Sequence, residues 1–298
     1  MNMDAQRTRQ GIIFAFVAYL IWGIAPVYFK LIKQVPAEEI LTHRVIWSFF
    51  FMLLLLSVSR SWGNVRLVLK VPKKVALLLL TAVIIGGNWL LYIWAINNNH
   101  LLEASLGYFI NPLVNVLLGM MFLGERFRRM QWVAVVLAFI GVSYQVWVYG
   151  SVPMIALGLS LSFALYGLLR KRIGVEAQTG MLIETLWLLP VAAIYLFLIA
   201  DTATSHLPAN PWSLNMMLMS AGIITTIPLL FFTAAATRLK LSTLGFFQYL
   251  GPTLMFILAV AVYGESVTTS QLVTFGFIWA GLLCFVADAL YTQRRLRR

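Results

Sequence analysis

Residues 112–125 read PLVNVLLGMMFLGE and residues 252–265 read PTLMFILAVAVYGE. Each stretch has a proline, eleven intervening residues and a Gly-Glu pair, and the two copies lie 140 residues apart. Gly141 and Gly281 then follow the two glutamates after sixteen positions each. The chain between the copies is nearly all apolar, so the repeat belongs to a membrane-embedded protein. The number of spans between the copies decides whether they run in the same or in opposite directions across the bilayer.

The composition is that of an integral membrane protein. Hydrophobic residues make up 61% of the 298 residues, charged residues only 11%, and a soluble domain carries about 25% charged residues. The apolar run 11–32 follows a basic start, as in a signal peptide, but it is too long for one and has no small-x-small cleavage site. We therefore predict a retained first span. The lone cysteine, Cys284, excludes an intramolecular disulfide.

Ten apolar runs have the length that a helix needs to cross about 30 Å of hydrocarbon. Lipid offers backbone N–H and C=O groups no partner, so each run is predicted to be helical and the fold class to be all-α integral membrane. The predicted spans are 11–32, 37–58, 75–96, 102–124, 131–149, 152–170, 178–200, 213–236, 242–264 and 270–290.

The positive charges predict the orientation. All but three of the 22 lysines and arginines lie at the two ends of the chain or in the connections after even-numbered spans, and the exceptions are Lys30, Lys33 and Arg44. This bias predicts that both termini are cytoplasmic, N-in and C-in. It also accounts for the net charge of +12, so no nucleic-acid partner is predicted.

The two Gly-Glu pairs close spans four and nine, so five spans separate them and the copies point in opposite directions. We therefore predict two inverted five-helix repeats, residues 1–149 and residues 150–298. Glu125 and Glu265 are expected to pin their helices at opposite membrane faces rather than to bind cargo. Inverted repeats are the architecture of many secondary transporters, although channels and some other membrane proteins share it.

Four stretches carry a family resemblance, and it extends over essentially the whole chain. They are IWGIAP at 21–26, LTHRVIWS at 41–48, GGNWLL at 86–91 and EASLGYFINPL at 103–113. In these stretches the chain resembles the RarD family of EamA-type proteins, within the drug/metabolite transporter superfamily. The resemblance implies a permease of the bacterial inner membrane with ten spans in a five-plus-five arrangement. The family is linked by name to chloramphenicol sensitivity, and better understood EamA-type relatives export amino acids and similar metabolites, which implies export here.

Ionisable residues inside spans are costly in lipid and are the first candidates for function. Arg44 and Glu184 lie 140 positions apart and each sits about seven residues into its span. We predict a pseudo-symmetric pair of gates or anchors in which Arg44 suits a carboxylate. The alternative is that Arg44 only sets helix position, by reaching the interface or pairing with Glu38 or Glu39. A direct Arg44–Glu184 pair is not expected, because their depths differ by about 10 Å.

His43 is a candidate for proton coupling, against a purely structural hydrogen-bonded role. Asp288 is expected to pair with Arg294 or Arg295. Trp22 and its repeat mate Tyr166 are candidates for lining a cavity. The other substrate-binding candidates are uncharged polar residues of spans three, four and nine, namely Asn88, Tyr92, Tyr108, Asn111, Asn115, Gln248 and Tyr249. The hinge candidates are prolines inside spans, which free a carbonyl and permit a kink, namely Pro26, Pro112, Pro228 and Pro252.

Several classes of function are disfavoured. The chain has no phosphate-binding loop, no metal-ligand spacing and no Ser-His-Asp grouping, so neither a cofactor nor a metal site is predicted. The acids are too dispersed for a lipid-modifying enzyme. We predict a non-enzymatic secondary transporter of a small-molecule substrate that works by alternating access in the lipid bilayer. A passive facilitator or channel, a structural or signalling role, and a homo-oligomeric state remain open from the sequence alone.

Overall fold

A computed structural model describes residues 3–98, 100–262 and 268–297 of the chain. The helices are α1 (Met3–Leu31), α2 (Ala37–Val58), α3 (Trp62–Leu69), α4 (Pro72–Asn97), α5 (Leu101–Leu123), α6 (Arg129–Tyr149), α7 (Met154–Ile173), α8 (Ala177–Ile194), α9 (Trp212–Ala236), α10 (Leu241–Gln248), α11 (Leu250–Ala261) and α12 (Thr269–Arg297). Within these ranges ten helical stretches are long and apolar enough to cross a bilayer, and their bounds lie close to the predicted ones. The prediction of ten helical spans is confirmed.

Three local features were not predicted. The short helix α3 lies in the connection between the second and third spans, and α8 continues as a π-helical turn over Tyr195–Ile199. The ninth span consists of two helices, α10 and α11, which meet at Tyr249. Pro252 explains this break, because it has no N–H to donate to the carbonyl of Gln248. Gly264 and Glu265 lie outside the described residues, so the expectation for the second Gly-Glu pair stays a prediction.

The outer surface of the bundle is apolar, as a bilayer requires. Leu54, Val191 and Phe197 expose 63%, 69% and 73% of their surfaces, and many other large apolar side chains do the same. Apolar surface on this scale is rare on a soluble monomer, and it fits contact with lipid.

Contacts between helices repeat after a shift of five spans. Helix α1, the first span, packs against α9 and α11, which belong to the eighth and ninth spans. Helix α7, the sixth span, packs in the same way against α4 and α5, the third and fourth spans. An odd shift reverses the direction of every helix. The two halves are therefore inverted copies, as the repeated Gly-Glu pairs indicated.

The fifth and tenth spans, α6 and α12, pack along each other, and the two repeat-related glycines make this possible. A methyl group on Gly141 would lie 3.1 Å from the carbonyl oxygen of Thr274, and one on Gly281 would lie 3.0 Å from that of Ala134. Small residues let backbones approach closely where helices cross in a membrane. Gly141 on α6 and Gly281 on α12 thus both allow the close packing of these two helices.

The packing differs between the two ends of the bundle. We call the end at which α1 begins and α12 ends the terminal face, and the other end the opposite face. Near the terminal face one large apolar core joins both repeats, and it includes Ala15, Tyr19, Met52, Leu56, Tyr166, Phe232 and Leu244. Near the opposite face the core is split, with Ile32, Ile40 and Leu218 in one cluster and Ala95, Ala104 and Leu159 in another. The largest apolar core therefore lies nearer the terminal face, and the clusters near the opposite face are smaller.

Glu125 fastens the ninth span at the terminal face. Its carboxylate accepts hydrogen bonds from the N–H groups of Leu241 (2.6 Å) and Ser242 (3.1 Å) and from the Ser242 hydroxyl (2.6 Å). A carboxylate at a helix N-terminus satisfies free N–H groups and the helix dipole. Glu125 therefore holds a helix of the other repeat, and not only the helix that it follows.

Asp288 has a partner that the sequence did not suggest. Its Oδ2 atom accepts hydrogen bonds from Arg128, at 2.8 Å from Nε and 2.5 Å from Nη2. The side chains of Arg294 and Arg295 lie outside the described part of the structure, so pairing with them stays a prediction. Asp288 is 7% exposed, and Arg128 precedes the helix that packs along α12. The pair therefore fixes the end of the α6–α12 interface.

Candidate substrate site

Arg44 lies about two turns into α2 and points towards other helices. Its Nε donates a 2.8 Å hydrogen bond to the hydroxyl of Thr225 on α9. Its guanidinium carbon lies 4.9 Å from the ring centre of Trp89 and 5.8 Å from that of Phe29. Cation–π contacts of this kind stabilise a desolvated guanidinium. Among the described residues, Arg44 has no carboxylate within salt-bridge distance, so its charge is held by a hydroxyl and by aromatic rings.

Aromatic side chains from three helices, α1, α4 and α5, surround this guanidinium. Tyr92 on α4 and Tyr108 on α5 pack edge to face with their ring centres 6.0 Å apart, and both interact electrostatically with Arg44. Each of these aromatic residues is only half-buried, and so is Arg44. These side chains face other helices yet keep accessible surface, so a small ligand can contact them. They lie in the half of the bundle nearer the opposite face.

An aromatic cluster lies between Arg44 and the terminal face. The ring of Trp22 lies 5.8 Å from both Phe163 and Phe232, and Tyr166 stacks on Phe232 at 6.2 Å with an angle of 17° between the planes. Trp22 is half-buried, whereas Tyr166 and Phe232 are buried. The two repeat mates Trp22 and Tyr166 therefore occupy the two sides of one plug, which consists of Tyr19, Trp22, Phe163, Tyr166 and Phe232.

Glu184 lies beyond this plug, about 10 Å inside the terminal face at 1.5 Å per residue. Its carboxylate accepts hydrogen bonds from the hydroxyls of Thr81 (2.6 Å) and Tyr166 (3.2 Å). Nη1 of Arg170 lies 3.6 Å from Oε1 of Glu184, and the two side chains are only 1% and 2% exposed. Glu184 is thus a buried carboxylate with three partners, whereas Arg44 is a half-buried cation.

The sequence does not identify Arg170 as a site residue, because Arg170, Lys171 and Arg172 form one basic run at the end of the sixth span. Helix α7 extends to Ile173, and Arg170 turns inward from its last turn. A methyl group on Gly180 would lie 1.8 Å from Nη1 of Arg170, so only glycine at this position leaves room for the guanidinium. The signal in the sequence was a glycine one turn into the next span, near an acid with no assigned partner.

The two charged sites are related by the inverted repeat. Arg44 on the second span bonds to a threonine of the eighth span, and Glu184 on the seventh span bonds to a threonine of the third. A shift of five spans converts each pair of helices into the other. The charges are opposite in sign, and the sites differ in access. As expected, Arg44 and Glu184 do not pair with each other in the part of the chain that the structure describes.

His43 lies next to Arg44 in sequence but on a different side of α2. It is 1% exposed, its Nδ1 accepts a 3.3 Å hydrogen bond from the indole of Trp47, and its Nε2 has no partner among the described residues. This is the environment of a buried structural histidine with one unused nitrogen. Proton coupling through His43 stays a prediction.

The polar candidates of spans three, four and nine are spread over several helix contacts. Asn88 bonds to the Leu159 carbonyl (2.9 Å) and the Ser162 hydroxyl (2.8 Å) on α7, in a groove of about 360 Å³ open to the outside of the bundle. The side-chain amide of Asn111 donates to the carbonyl of Ser160 at 2.7 Å. These contacts join helices, so the structure brings neither amide to the Arg44 site.

Asn115 and Gln248 are nearly buried amides with spare hydrogen-bonding capacity. Asn115 donates to Asn111 at 2.8 Å, and the side-chain oxygens of Asn115 and Gln248 have no partner within the described ranges. The hydroxyl of Tyr249 donates to the carbonyl of Phe109 at 3.2 Å, across the break in the ninth span. Buried polar atoms normally have a hydrogen-bond partner, so these two oxygens are available to water or to a bound molecule.

The four proline candidates behave differently. Pro26, Pro112 and Pro228 lie within unbroken helices, and only Pro252 lies where a span is interrupted. Pro112 lies against α10, because a methyl group on Gly245 would come within 3.0 Å of the Pro112 carbonyl oxygen. Pro112 thus lies where α5 crosses the ninth span, and hinge motion stays a prediction.

Comparison with known proteins identifies the class. The chain belongs to the EamA-like transporter family, whose sequence pattern matches residues 9–146 and 151–287. It is 71% identical over 293 residues to "Protein RarD" of Salmonella typhi, covering 98% of this chain and 100% of that one. It is 57% identical to an "Uncharacterized transporter" of Vibrio cholerae, covering 100% of this chain and 99% of that one. A solved structure with 17% identity has the same fold, with a TM-score of 0.73 and coverage of 97% and 99%.

These findings and the ten apolar helices define a membrane transporter with several spans in the bacterial inner membrane. The resemblance of the quoted stretches to the RarD family is confirmed. Among the described residues no group of three or more His, Cys, Asp or Glu side chains could hold a metal ion. The chemistry of the site is therefore that of Arg44, the aromatic rings and the buried Glu184.

Proposed function

We propose that this chain is a secondary transporter that moves a small carboxylate-bearing molecule by alternating access. The half-buried Arg44 carries the proposal, because it is a cation inside the bundle with no carboxylate partner among the described residues. A charge in a membrane protein is costly unless it is paired or exposed to water. A cargo carboxylate supplies the missing partner, and two parallel N–H donors of a guanidinium fit its two oxygens.

The packing supports a resting state that is open at the opposite face. The largest apolar core lies near the terminal face, only smaller clusters lie near the opposite face, and the aromatic plug lies between Arg44 and the terminal face. Because the halves are inverted copies, exchanging their conformations opens the terminal face and closes the opposite one. The positive charges favour a cytoplasmic terminal face, and the family resemblance favours export.

The aromatic surroundings of Arg44 favour a cargo with an apolar or aromatic body. The rings of Trp89, Tyr92 and Tyr108 offer edges and faces, and the two tyrosines also offer hydroxyl groups. Aromatic pairs contribute about 0.5–1.5 kcal/mol beyond the burial of their area. We therefore expect an organic acid to bind more tightly than an inorganic anion of the same charge.

The proposal is tested with the purified protein in liposomes. A panel of amino acids, their N-acyl and keto-acid derivatives and antibiotics is first screened for thermal stabilisation. Compounds that stabilise the protein are then offered to liposomes that contain the unlabelled compound inside and a radiolabelled trace outside. Transient accumulation of label above its equilibrium level is expected. Equilibration without accumulation would contradict a carrier and favour a passive channel, and no flux for any compound that binds would refute transport.

Replacing Arg44 by methionine should weaken binding of a carboxylate cargo by about 10- to 100-fold, which corresponds to 1.5–3 kcal/mol for hydrogen bonds to a charged group. Thr225→Val is the matched control, because it keeps the guanidinium and removes only its hydroxyl partner. It should cost less than Arg44→Met. Titration of both variants with the cargo and with its uncharged amide checks this. Equal loss for acid and amide would show that Arg44 does not bind the carboxylate.

A further inference from the structure

The buried pair of Arg170 and Glu184 has a feature that a purely structural ion pair does not require. Nε and Nη1 of Arg170 have no hydrogen-bond partner among the described residues, although the side chain is 1% exposed. Its Nη2 makes one long hydrogen bond, 3.5 Å to the carbonyl of Ala177. Arginine has five N–H donors, and buried donors are normally satisfied. Glu184 therefore balances the charge of this guanidinium but leaves its Nε and Nη1 donors without hydrogen bonds.

The carboxylate of Glu184, by contrast, has its hydrogen-bonding needs met. It has hydroxyl donors on both oxygens, from Thr81 and Tyr166, and its nearest contact with Arg170 is 3.6 Å rather than the 2.7–2.9 Å of a tight charge-assisted bond. Arg170 thus makes only a long ion pair with Glu184. A second carboxylate at about 2.7–2.9 Å would form charge-assisted hydrogen bonds with Arg170 that Glu184 does not form.

The location of the pair adds a second observation. Tyr166 bonds to Glu184 and also stacks on Phe232 within the aromatic plug. The pair therefore lies directly behind the plug, on the side of the terminal face. When the halves exchange conformations, the plug must part and this side becomes accessible. By the inverted repeat, Glu184 then holds the position that Arg44 holds in the present state.

We propose that Arg170 is a second anion site on the transport path, which Glu184 occupies until a cargo carboxylate replaces it. The ligand is a small organic acid, the class that Arg44 would bind from the other side. Glu184 acts as an internal substitute for the cargo, so that the empty carrier keeps no unpaired charge. When cargo binds, Glu184 retains its bonds to Thr81 and Tyr166 and takes up a proton from water, so that Arg170 and the cargo carboxylate balance each other's charge. This inference rests on the proposed function.

The test uses benzoate as the probe and benzamide as its uncharged control, with the full chain in nanodiscs. Arg44→Met is present throughout, so that the first anion site is removed. In this background Glu184→Gln should tighten benzoate binding at least tenfold, because glutamine does not compete for Arg170. Adding Arg170→Met to that variant should abolish the gain. Benzamide should bind equally to all three variants. If Glu184→Gln gives no gain, or if the gain survives Arg170→Met, the second site is refuted.

The last variant lacks both Arg170 and Glu184, so it leaves neither member of the ion pair without its partner. If the Arg44→Met background does not fold, the comparison is made with Arg44 present. Glu184→Gln should then bind two benzoates, and Arg170→Met with Glu184→Gln should bind one. One benzoate in both would refute the second site. Transport is measured separately, as flux into liposomes. If the wild-type protein binds benzoate but does not transport it, the proposed function is refuted. If the Arg170→Met, Glu184→Gln variant transports at the full rate, only this inference is refuted.

Discussion

Replacing Gly222 by alanine should destabilise the protein by about 3 kcal/mol or more, at or above the usual range for overpacking. A methyl group at this position would lie 2.4 Å from the carbonyl carbon of Trp47 and 2.5 Å from the amide nitrogen of Ser48. Both are backbone atoms, so α2 and α9 must move apart rather than a side chain turning aside. The 3.1 Å hydrogen bond from the Ser48 hydroxyl to the Gly222 carbonyl would be lost as well.

The same substitution should also impair the Arg44 site. Thr225, which holds Arg44, is one turn along α9 from Gly222, so separating the two helices stretches this hydrogen bond. Gly87→Ala is the matched control, because a methyl group on Gly87 meets nothing within 4 Å and alanine favours a helix. Thermal unfolding in detergent should show a large decrease in Tm for Gly222→Ala and none for Gly87→Ala. Similar values for the two would contradict the close packing of α2 on α9.

Arg170→Met alone should cost about 3–5 kcal/mol, the usual penalty for leaving one member of a buried ion pair without its partner. Glu184 is 2% exposed, and its two hydroxyl partners do not neutralise its charge. Adding Glu184→Gln should restore most of the lost stability, since the remaining groups can hydrogen-bond without a net charge. Unfolding of the wild type, both single variants and the double variant forms a double-mutant cycle. Additive effects, with no recovery in the double variant, would contradict a direct pair.

The spans could be predicted because lipid imposes one rule on every helix, namely about 20 apolar residues with internal backbone bonding. The partner of Glu184 could not be predicted in this way. Arg170, Lys171 and Arg172 form a single basic run in the sequence, and only the packing decides that the first turns inward. Gly180 leaves room for the side chain of Arg170. Glycine in a span also has other roles, such as close helix packing, so its presence alone does not predict this contact.

The prolines illustrate a second limit. Pro112 and Pro252 occupy equivalent places in the repeated phrase, yet α5 continues through the first and the ninth span breaks near the second. A proline removes one hydrogen bond in either case. Whether the helix then breaks depends on its neighbours, which a local sequence pattern does not contain. The polar candidates show the same limit, because Asn88 and Asn111 are engaged by α7 and not by the Arg44 site.

The central claim is that the two faces open in turn, and distances between spin labels test it most directly. Cys284→Ser gives a background without cysteine, since Cys284 is the only one in the chain. Cysteines at Lys73 and Lys240 then report on the terminal face, and cysteines at Asn98 and Ala209 report on the opposite face. All four positions are exposed, and each lies in a connection or at the end of a helix.

The measurement is pulsed electron paramagnetic resonance on both labelled pairs in nanodiscs, with and without Glu184→Gln. We expect the unmodified chain to favour a short distance at the terminal face and a long distance at the opposite face. Glu184→Gln, which releases Arg170, should increase the long-distance population at the terminal face and decrease it by a similar fraction at the opposite face. Two pairs that lengthen together, or that stay fixed under every condition, would contradict alternating access.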